Sequence, residues 1–405
     1  MSTAQDAILA VNSGSSTIKF ALYPVSGRQV AGALLSGLLE GLEPGGAPRI
    51  CLQNHQPPQR YVLPAAERGG QDSFGAALAY LRDLLQRHSA GIRIVAVAHR
   101  IVHGGERYAN SIVIDQDALA YLRSLNPLAP LHQPHNLDGV MAFRRAYPEV
   151  PQIACFDTGF HAGLPQVEQL LALPQTLRDR GIRRYGFHGL SYRYVAARLA
   201  EQSPRAGQRV IMAHLGNGAS ACAMRNGKSV ATSMGFSALD GLMMGTRCGA
   251  LDPGVLLHLL RQGWDVQRLE QTLYQESGLL GVSGISADMR RLRASDQPQA
   301  AVAIDLFTHR LIRECGALTA CAGGVDALAF TGGIGEHDAV LRQRTCEALA
   351  YLGLRIDAVQ NENARGDRIA AIHGADSAVE IWVVPTDEGR IAAADAAAIL
   401  RANDA

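Results

Sequence analysis

The chain has 405 residues, 47% of them hydrophobic, and 38 Lys and Arg against 37 Asp and Glu give a formal net charge of +1. That length exceeds one ordinary core and implies two domains of about 150–200 residues each. The balanced charge and the lack of a basic run argue against nucleic acid as a partner and point to small molecules. The longest apolar stretches, such as Ala7 to Val11 and Ala327 to Phe330, are strand-sized and too short to cross a membrane. No basic n-region precedes the first apolar residues, so no signal peptide is expected. The seven cysteines are scattered and form no CxxC pair, which points to buried thiols in a reduced, cytoplasmic setting. Nearly all the positive charge is arginine; the only lysines are Lys19 and Lys228.

From the N-terminus, Ile8 to Ala21 reads as an apolar run, a small polar loop and an alternating strand: ILAV, NSGSS, TIKFALY. Val210 to Met224 repeats the plan as VIMAH, LGNGAS and ACAM, followed by an Asn226-Gly227 hairpin signal. Each glycine-rich loop is able to turn backbone N–H groups toward an anion, and two facing each other would hold one polyphosphate. Taken singly, each also reads as an ordinary tight hairpin. Gly41 to Pro64, rich in Gly, Pro and Gln, is expected to form loops or an irregular edge. Ser73 to Arg87 has helical spacing, and Gly91 to His99 reads as a buried strand ending in a polar turn. Further on, 192–201, 254–261, 300–315 and 339–351 read as helices, and 327–331 and 380–384 as strands. Alternating helices and strands with a duplicated hairpin predict an α/β fold of two actin-like ATPase (ribonuclease H-like) domains with an interdomain active-site cleft. The expected domains are 1–156 with the terminal helix 391–405, and 157–390.

Chemistry-bearing residues collect at strand ends. Arg100 follows an apolar strand in HRIVHGG, and Arg247 lies among glycines and hydrophobics in GLMMGTRCG. A guanidinium in either place matches a carboxylate or phosphate, or pairs with a buried acid. His132, His161, His188 and His214 recur in Gly- or Pro-rich turns without a zinc spacing, as site groups or as structural hydrogen bonders. Asp157, after the apolar Ile153 to Phe156, stands where a base or positioning carboxylate belongs, or a turn cap. LAFTGGIGEH (328–337) offers close backbone approach to a nucleotide. Glu388, beyond a strand in VVPTDEG, suits a hard ion such as Mg²⁺. There is no Walker A motif, and GxGxxG does not fit the first βα turn, so a phosphotransferase here is not a P-loop enzyme.

NSGSSTIKF, HRIVHGG, FDTGFH, YGFHG, HLGNGAS, TSMGFSALDGLMMGTRCG, SGISADMR, FTGGIGEH and VPTDEG follow one another in the order of the acetate/propionate kinase family, which the chain resembles from Val11 to about Ala394. The resemblance implies a homodimer that moves the γ-phosphoryl of ATP reversibly onto acetate or a related short-chain carboxylate, with Mg²⁺ (or Mn²⁺). By position, Asn12 and Glu388 match the metal-site residues and Lys19 an ATP contact. His214, Leu215, Gly216, Asn217 and Gly218 match the phosphate loop. Asp288, Met289 and Arg290, with Gly333, Ile334, Gly335, Glu336 and His337, match the nucleotide pocket. Arg100 resembles the substrate-binding arginine, Asp157 the catalytic aspartate, and His188 with Arg247 the transition-state stabilisers. Val102, Leu131, His132, Phe187 and Ala238 match the substrate pocket.

The chain departs from the family pattern at His337 (usually Asn), Met289 (Phe), Gln133 (Asn), Ala250 (an acid) and Ala238 (Pro). A sugar kinase on this fold would need polar groups where Val102, Leu131 and Phe187 are apolar. A chaperone or filament protein would need no substrate arginine.

Overall fold

Each of the two apolar-loop-strand repeats opens a sheet of its own. The computed structural model describes residues 5–14, 17–27, 29–42, 48–53, 59–62, 73–88 and 91–404. Its chain divides into two units, Met1–Gly159 with Asp387–Ala405, and Phe160–Thr386. Asp157 and Glu388 thus belong to the first unit, whereas the sequence division at 156 and 390 assigned both to the second.

In the first unit, β1 (Gln5–Ser13) and β2 (Thr17–Ser26) form the antiparallel hairpin, with Asn12 opposite Lys19. Ser15 and Ser16 of its loop lie outside the described residues. Beyond β2 come β3 (Gln29–Val30), β4 (Leu35–Glu40), β5 (Arg49–Leu52) and β6 (Gln59–Val62), all antiparallel. On the other side of β1 lie β7 (Ile92–Ile101), β8 (Ile112–Val113) and β9 (Gln152–Phe156), with β1, β7 and β9 parallel. Of the loops or irregular edge expected over 41–64, the described residues form an edge, and a regular one: β5 and β6 pair antiparallel at the margin of the sheet. Ile50 and Leu52 alternate inward, a period-2 signal hidden among Pro and Gln. The rest of that stretch, 43–47, 54–58 and 63–64, lies outside the described residues.

Strand β1 reads as continuous apolar sequence because both its faces are covered. The helix Ser73–His88 brings Ala77, Leu78, Leu81, Leu84 and Leu85 to one side, at helical spacing, against Leu9, Val11, Leu22 and Leu39. The helix Glu388–Asp404 also packs on β1 and β7. Its buried stripe of Ala392, Ala393, Ala396 and Ala397 permits close approach, and the Cys155 thiol reaches the Ala392 carbonyl at 3.7 Å.

In the second unit, β10 (Arg209–Leu215), β11 (Ala219–Arg225) and β12 (Lys228–Thr232) form an antiparallel meander. Asn226 and Gly227, with φ of 52° and 72°, make the two-residue turn that the sequence announces. Next come β13 (Ala327–Thr331), β14 (Ala370–Ala371) and β15 (Glu380–Val383), and β13 and β15 run parallel to β10. The core orders are β4-β2-β1-β7-β9 and β12-β11-β10-β13-β15, the same pattern of order and direction twice. This is the duplicated, ribonuclease H-like arrangement of actin-like ATPase domains. The helix Pro298–Ala322 extends past the expected 300–315, starting on proline and ending on Gly323 in the left-handed region. Among the described residues no helix is long and apolar enough to cross a membrane.

Candidate active site

The first unit gathers its site residues at the carboxyl ends of parallel strands, where open α/β sheets bind ligands. Arg100 is the penultimate residue of β7, and Asp157 directly follows β9. Asp157 is fully buried and holds Arg100 through Oδ1 to Nε (3.0 Å) and Oδ2 to Nη2 (2.5 Å). Glu388 opens the last helix with Oε2 3.4 Å from Arg100 Nε. Burial lowers the Arg100 pKa, but the charges of Asp157 and Glu388 more than reverse this and hold it permanently cationic. Arg100 therefore has a buried acid partner; its bonds to Asp157 use Nε and Nη2, and none uses Nη1.

The loop after β7 is tied to the helix Gln133–Ala146. Asn136 accepts from the Val102 N–H (3.0 Å) and donates to the Ser13 carbonyl (2.7 Å), joining the ends of β1 and β7. Gln133, in place of the usual asparagine, takes the His103 N–H at 3.2 Å and returns a bond to its carbonyl at 3.1 Å. Val102 is buried; Leu131 and His132 are half-buried, with His132 at the helix N-cap. Asn12, half-buried, follows Val11, whose partner on β7 is His99, and Lys19 across from Asn12 on β2 is exposed.

The second unit centres on HLGNG, the end of β10 and its turn. His188 caps the helix Gly189–Ala200 with φ of 58°, a left-handed backbone that is costly for any residue with a side chain. Its ring stacks on His214 at 4.2 Å. Nδ1 of His188 meets Ser220 Oγ at 2.8 Å, and Nδ1 of His214 meets Ser191 Oγ at 2.8 Å. Arg247 donates through Nη1 to the Ala238 carbonyl at 3.1 Å, linking the expected transition-state stabiliser to an expected substrate-pocket residue. A Cβ on Gly218 would stand 3.4 Å from His188 Nε2 and 3.8 Å from Arg247 Nη1, so both groups face the space which that glycine leaves open. Gly245 of MMGTR, unlike Gly218, has no room for a Cβ, which would strike Asn217 Oδ1 at 2.0 Å. Phe187 is fully buried, and its carbonyl meets His161 Nε2 at 3.0 Å. His161 also bonds Ser229 at 2.8 Å, and burial pushes its pKa down to about 4; it is a structural hydrogen bonder.

Beside the loop opens a cavity of about 910 Å³. Of the expected nucleotide residues, Gly216, Asn217, Asp288, Met289, Arg290, Gly333, Ile334 and His337 line it. His214, Leu215, Gly218, Gly335 and Glu336 do not. Leu215 is fully buried, and Glu336 lies behind the wall, accepting from the Gly332 and Thr386 N–H groups at 2.8 and 3.1 Å. Burial raises the Glu336 pKa against those bonds. Asp288 caps the helix Met289–Arg293, and the Arg290 side chain holds its carboxyl down to about 2. His337 Nδ1 bonds the Gly333 carbonyl at 2.9 Å and so carries the proton. Arg293, Asp338 and Glu362 also line the cavity and escape sequence reasoning. The Arg293–Asp338 ion pair at 3.1 Å spans 45 positions, and no local spacing marks it.

A family model described as the acetokinase family matches residues 7–394. An acetate kinase of Rhodopseudomonas palustris is 47% identical over 388 residues, 95% of this chain and 96% of its own. The crystal structure of Porphyromonas gingivalis acetate kinase is 36% identical with a TM-score of 0.87, covering 98% of this chain and all of that one. A propionate kinase from Francisella tularensis is 35% identical with a TM-score of 0.85, over 96% and 98% of the two chains. With the repeated sheet pattern and the HLGNG-centred site, these matches establish that the chain belongs to the acetokinase family.

Proposed function

We propose that the protein transfers the γ-phosphoryl group of ATP reversibly to the carboxylate of acetate, giving acetyl phosphate and ADP. The observation that carries this reading is the convergence of His188 and Arg247 on the open side of Gly218, beside a cavity of nucleotide size, in a member of this family. A carboxylate oxygen attacks Pγ while the bond from Pγ to the β,γ-bridging oxygen breaks, and ADP leaves with that electron pair. Acetate arrives ionised, so no proton has to be removed from the nucleophile. Asp157, with both oxygens on Arg100, accordingly acts as a positioning carboxylate rather than a base. Arg100 holds the acetate carboxylate, with Val102 just after β7 and Leu131 just before the helix Gln133–Ala146. His188 and Arg247 donate to the equatorial oxygens of the phosphoryl group, where charge spreads in the transition state.

The oxygen donors at the first unit's strand ends fit a hard cation. Asn12 stands near the end of β1 and Glu388 beside Arg100, and among the described residues no group of three His, Cys, Asp or Glu forms a closed metal cage. Such a sparse set suits Mg²⁺, which keeps several waters and takes its remaining ligands from substrate phosphates. Bound there with the nucleotide, Mg²⁺ supplies neutralisation of the β,γ-phosphate charge. Glu388→Gln is expected to raise the Mg²⁺ concentration for half-maximal rate about tenfold and leave the acetate KM within about twofold. A Mg²⁺ titration checks it, and a mutant defective only in acetate KM contradicts it.

The homodimer reading is supported by the helix Pro253–Arg261, which buries none of its residues despite the sequence PGVLLHLLR. Leu257 is 52% exposed and Leu260 44%, an apolar surface that favours burial against a second copy of the chain. Light scattering is expected to give a dimer for the natural protein and a monomer for Leu257→Asp with Leu260→Asp. A monomeric natural protein removes the reading. A cytoplasmic location is supported by seven cysteines, none in a disulfide.

The activity itself is tested by trapping acyl phosphate with hydroxylamine. Acetyl hydroxamate should form only with ATP and acetate present, at a higher kcat/KM than with propionate. Higher kcat/KM for propionate would favour the alternative, a propionate kinase. Here Ala238, which stands where proline is usual, takes two carbons from its wall.

A further inference from the structure

The hydroxyls behind His188 form a chain whose protons have only one consistent arrangement. Ser220, fully buried on β11, has two hydrogen-bond partners among the described residues: His188 Nδ1 at 2.8 Å and the Tyr192 hydroxyl at 2.5 Å. Tyr192 lies one turn into the helix that His188 caps, its backbone N–H on the His188 carbonyl at 3.0 Å, and it too is fully buried. Burial raises the phenol pKa well above its ordinary value, so Tyr192 keeps its proton. Among the described residues the phenol oxygen has Ser220 Oγ as its hydrogen-bond partner, so Ser220 Oγ accepts the phenol proton. Ser220 must then pass its own proton to the partner that remains, His188 Nδ1.

We infer that Tyr192 and Ser220 are positioning residues: a two-hydroxyl relay that keeps His188 as the neutral tautomer protonated on Nε2, the nitrogen facing Gly218. The inference rests on the proposed phosphoryl transfer for its functional meaning. A proton on Nδ1, in the other tautomer or in the imidazolium, would confront the Ser220 hydroxyl with a second donor and strand a buried proton without an acceptor. The relay therefore makes Nε2 a donor at all times and never a bare lone pair, which would repel a phosphoryl oxygen. It joins the helix and the strand that carry the site, and it fixes the ring whose backbone is already held at φ of 58°.

The test uses the full chain labelled with ¹⁵N-histidine, the His188 ring signals being identified by their loss in His188→Gln. The natural protein is expected to show a protonated Nε2 and a bare Nδ1. In Ser220→Ala and Tyr192→Phe a second tautomer should appear, and kcat with ATP and acetate should fall about 5- to 20-fold with both KM values within about twofold. Two variants are used so that poor folding of one leaves the other to decide. A protonated Nδ1 in the natural protein, or ring signals unmoved in the folded variants, overturns the relay. Full kcat in His188→Gln would instead remove the role of His188 in transfer, leaving the measured tautomer as it stands.

Discussion

Arg247→Ala should lower kcat by about 10²–10⁴ while the KM for ATP rises less than about threefold. The turn that carries Arg247 is locked from several sides. Met244 N–H bonds the Arg247 carbonyl at 3.1 Å, Gly245 N–H bonds the Asn217 carbonyl at 2.9 Å, and Cys248 N–H bonds the Leu273 carbonyl at 3.1 Å. The guanidinium, half-buried, is steadied by the Ala238 carbonyl and directed at the space over Gly218. It does not line the nucleotide cavity, so ground-state ATP binding owes it little. A fork held in advance where charge develops contributes chiefly in the transition state, because nothing has to reorganise as the reaction proceeds. Arg247→Lys keeps the charge and loses the planar fork, and most of the loss should persist. Steady-state kinetics with both substrates varied decides the matter. Unchanged kcat in Arg247→Ala would remove this role.

Arg342→Met should destabilise the protein by about 3–5 kcal/mol, lowering Tm by about 10 °C for a unit of this size. Arg342 is the largest fully buried side chain. All its bonds run to uncharged oxygens: Nε to Asn361 Oδ1 (2.7 Å), Nη1 to the Gly335 and Glu336 carbonyls (both 2.9 Å), and Nη2 to the Asn361 and Ala364 carbonyls (2.8 and 3.0 Å). Burial lowers its pKa. A buried ion pair is often replaceable by apolar residues because both charges leave together. Here the partners are backbone carbonyls at the ends of two short helices, Gly332–His337 and Ala358–Asn363, and they stay behind unsatisfied. Those helices contribute Gly333, Ile334, His337 and Glu362 to the cavity wall, so the KM for ATP should rise with the loss of stability. Arg342→Lys should recover little, since one ammonium cannot span five acceptors. Thermal melts of both variants test the account; a Tm within about 2 °C of the natural protein contradicts it.

These two arginines show how far the sequence speaks. Arg247 stands between glycines and apolar residues, a setting in which a solvated charge makes no sense, so its importance is legible locally. Arg342, in the helix Ala339–Ala348, looks like any surface arginine until Asn361 and Ala364 fold against it. The Arg100–Asp157 pair is legible only as two separate strand-end residues, because register between β7 and β9 brings them together. Hairpins were legible for the opposite reason: apolar run, glycine loop and alternating strand are local signals, and Asn226-Gly227 is a turn by its own backbone preference. The edge strands β5 and β6 lack such punctuation and depend on neighbours for their pairing.

The first unit is closed by Asp387–Ala405, a segment that follows the whole of the second unit in the chain. During synthesis the unit from Phe160 to Thr386 is complete and contiguous while its predecessor still lacks the helix that covers β1 and β7. Until that helix arrives, the alanine stripe's side of the sheet is bare and Arg100 lacks one of its two carboxylates. The second unit's residues are therefore all made before the first unit's last segment, and until then an apolar sheet face of the first unit lacks its cover.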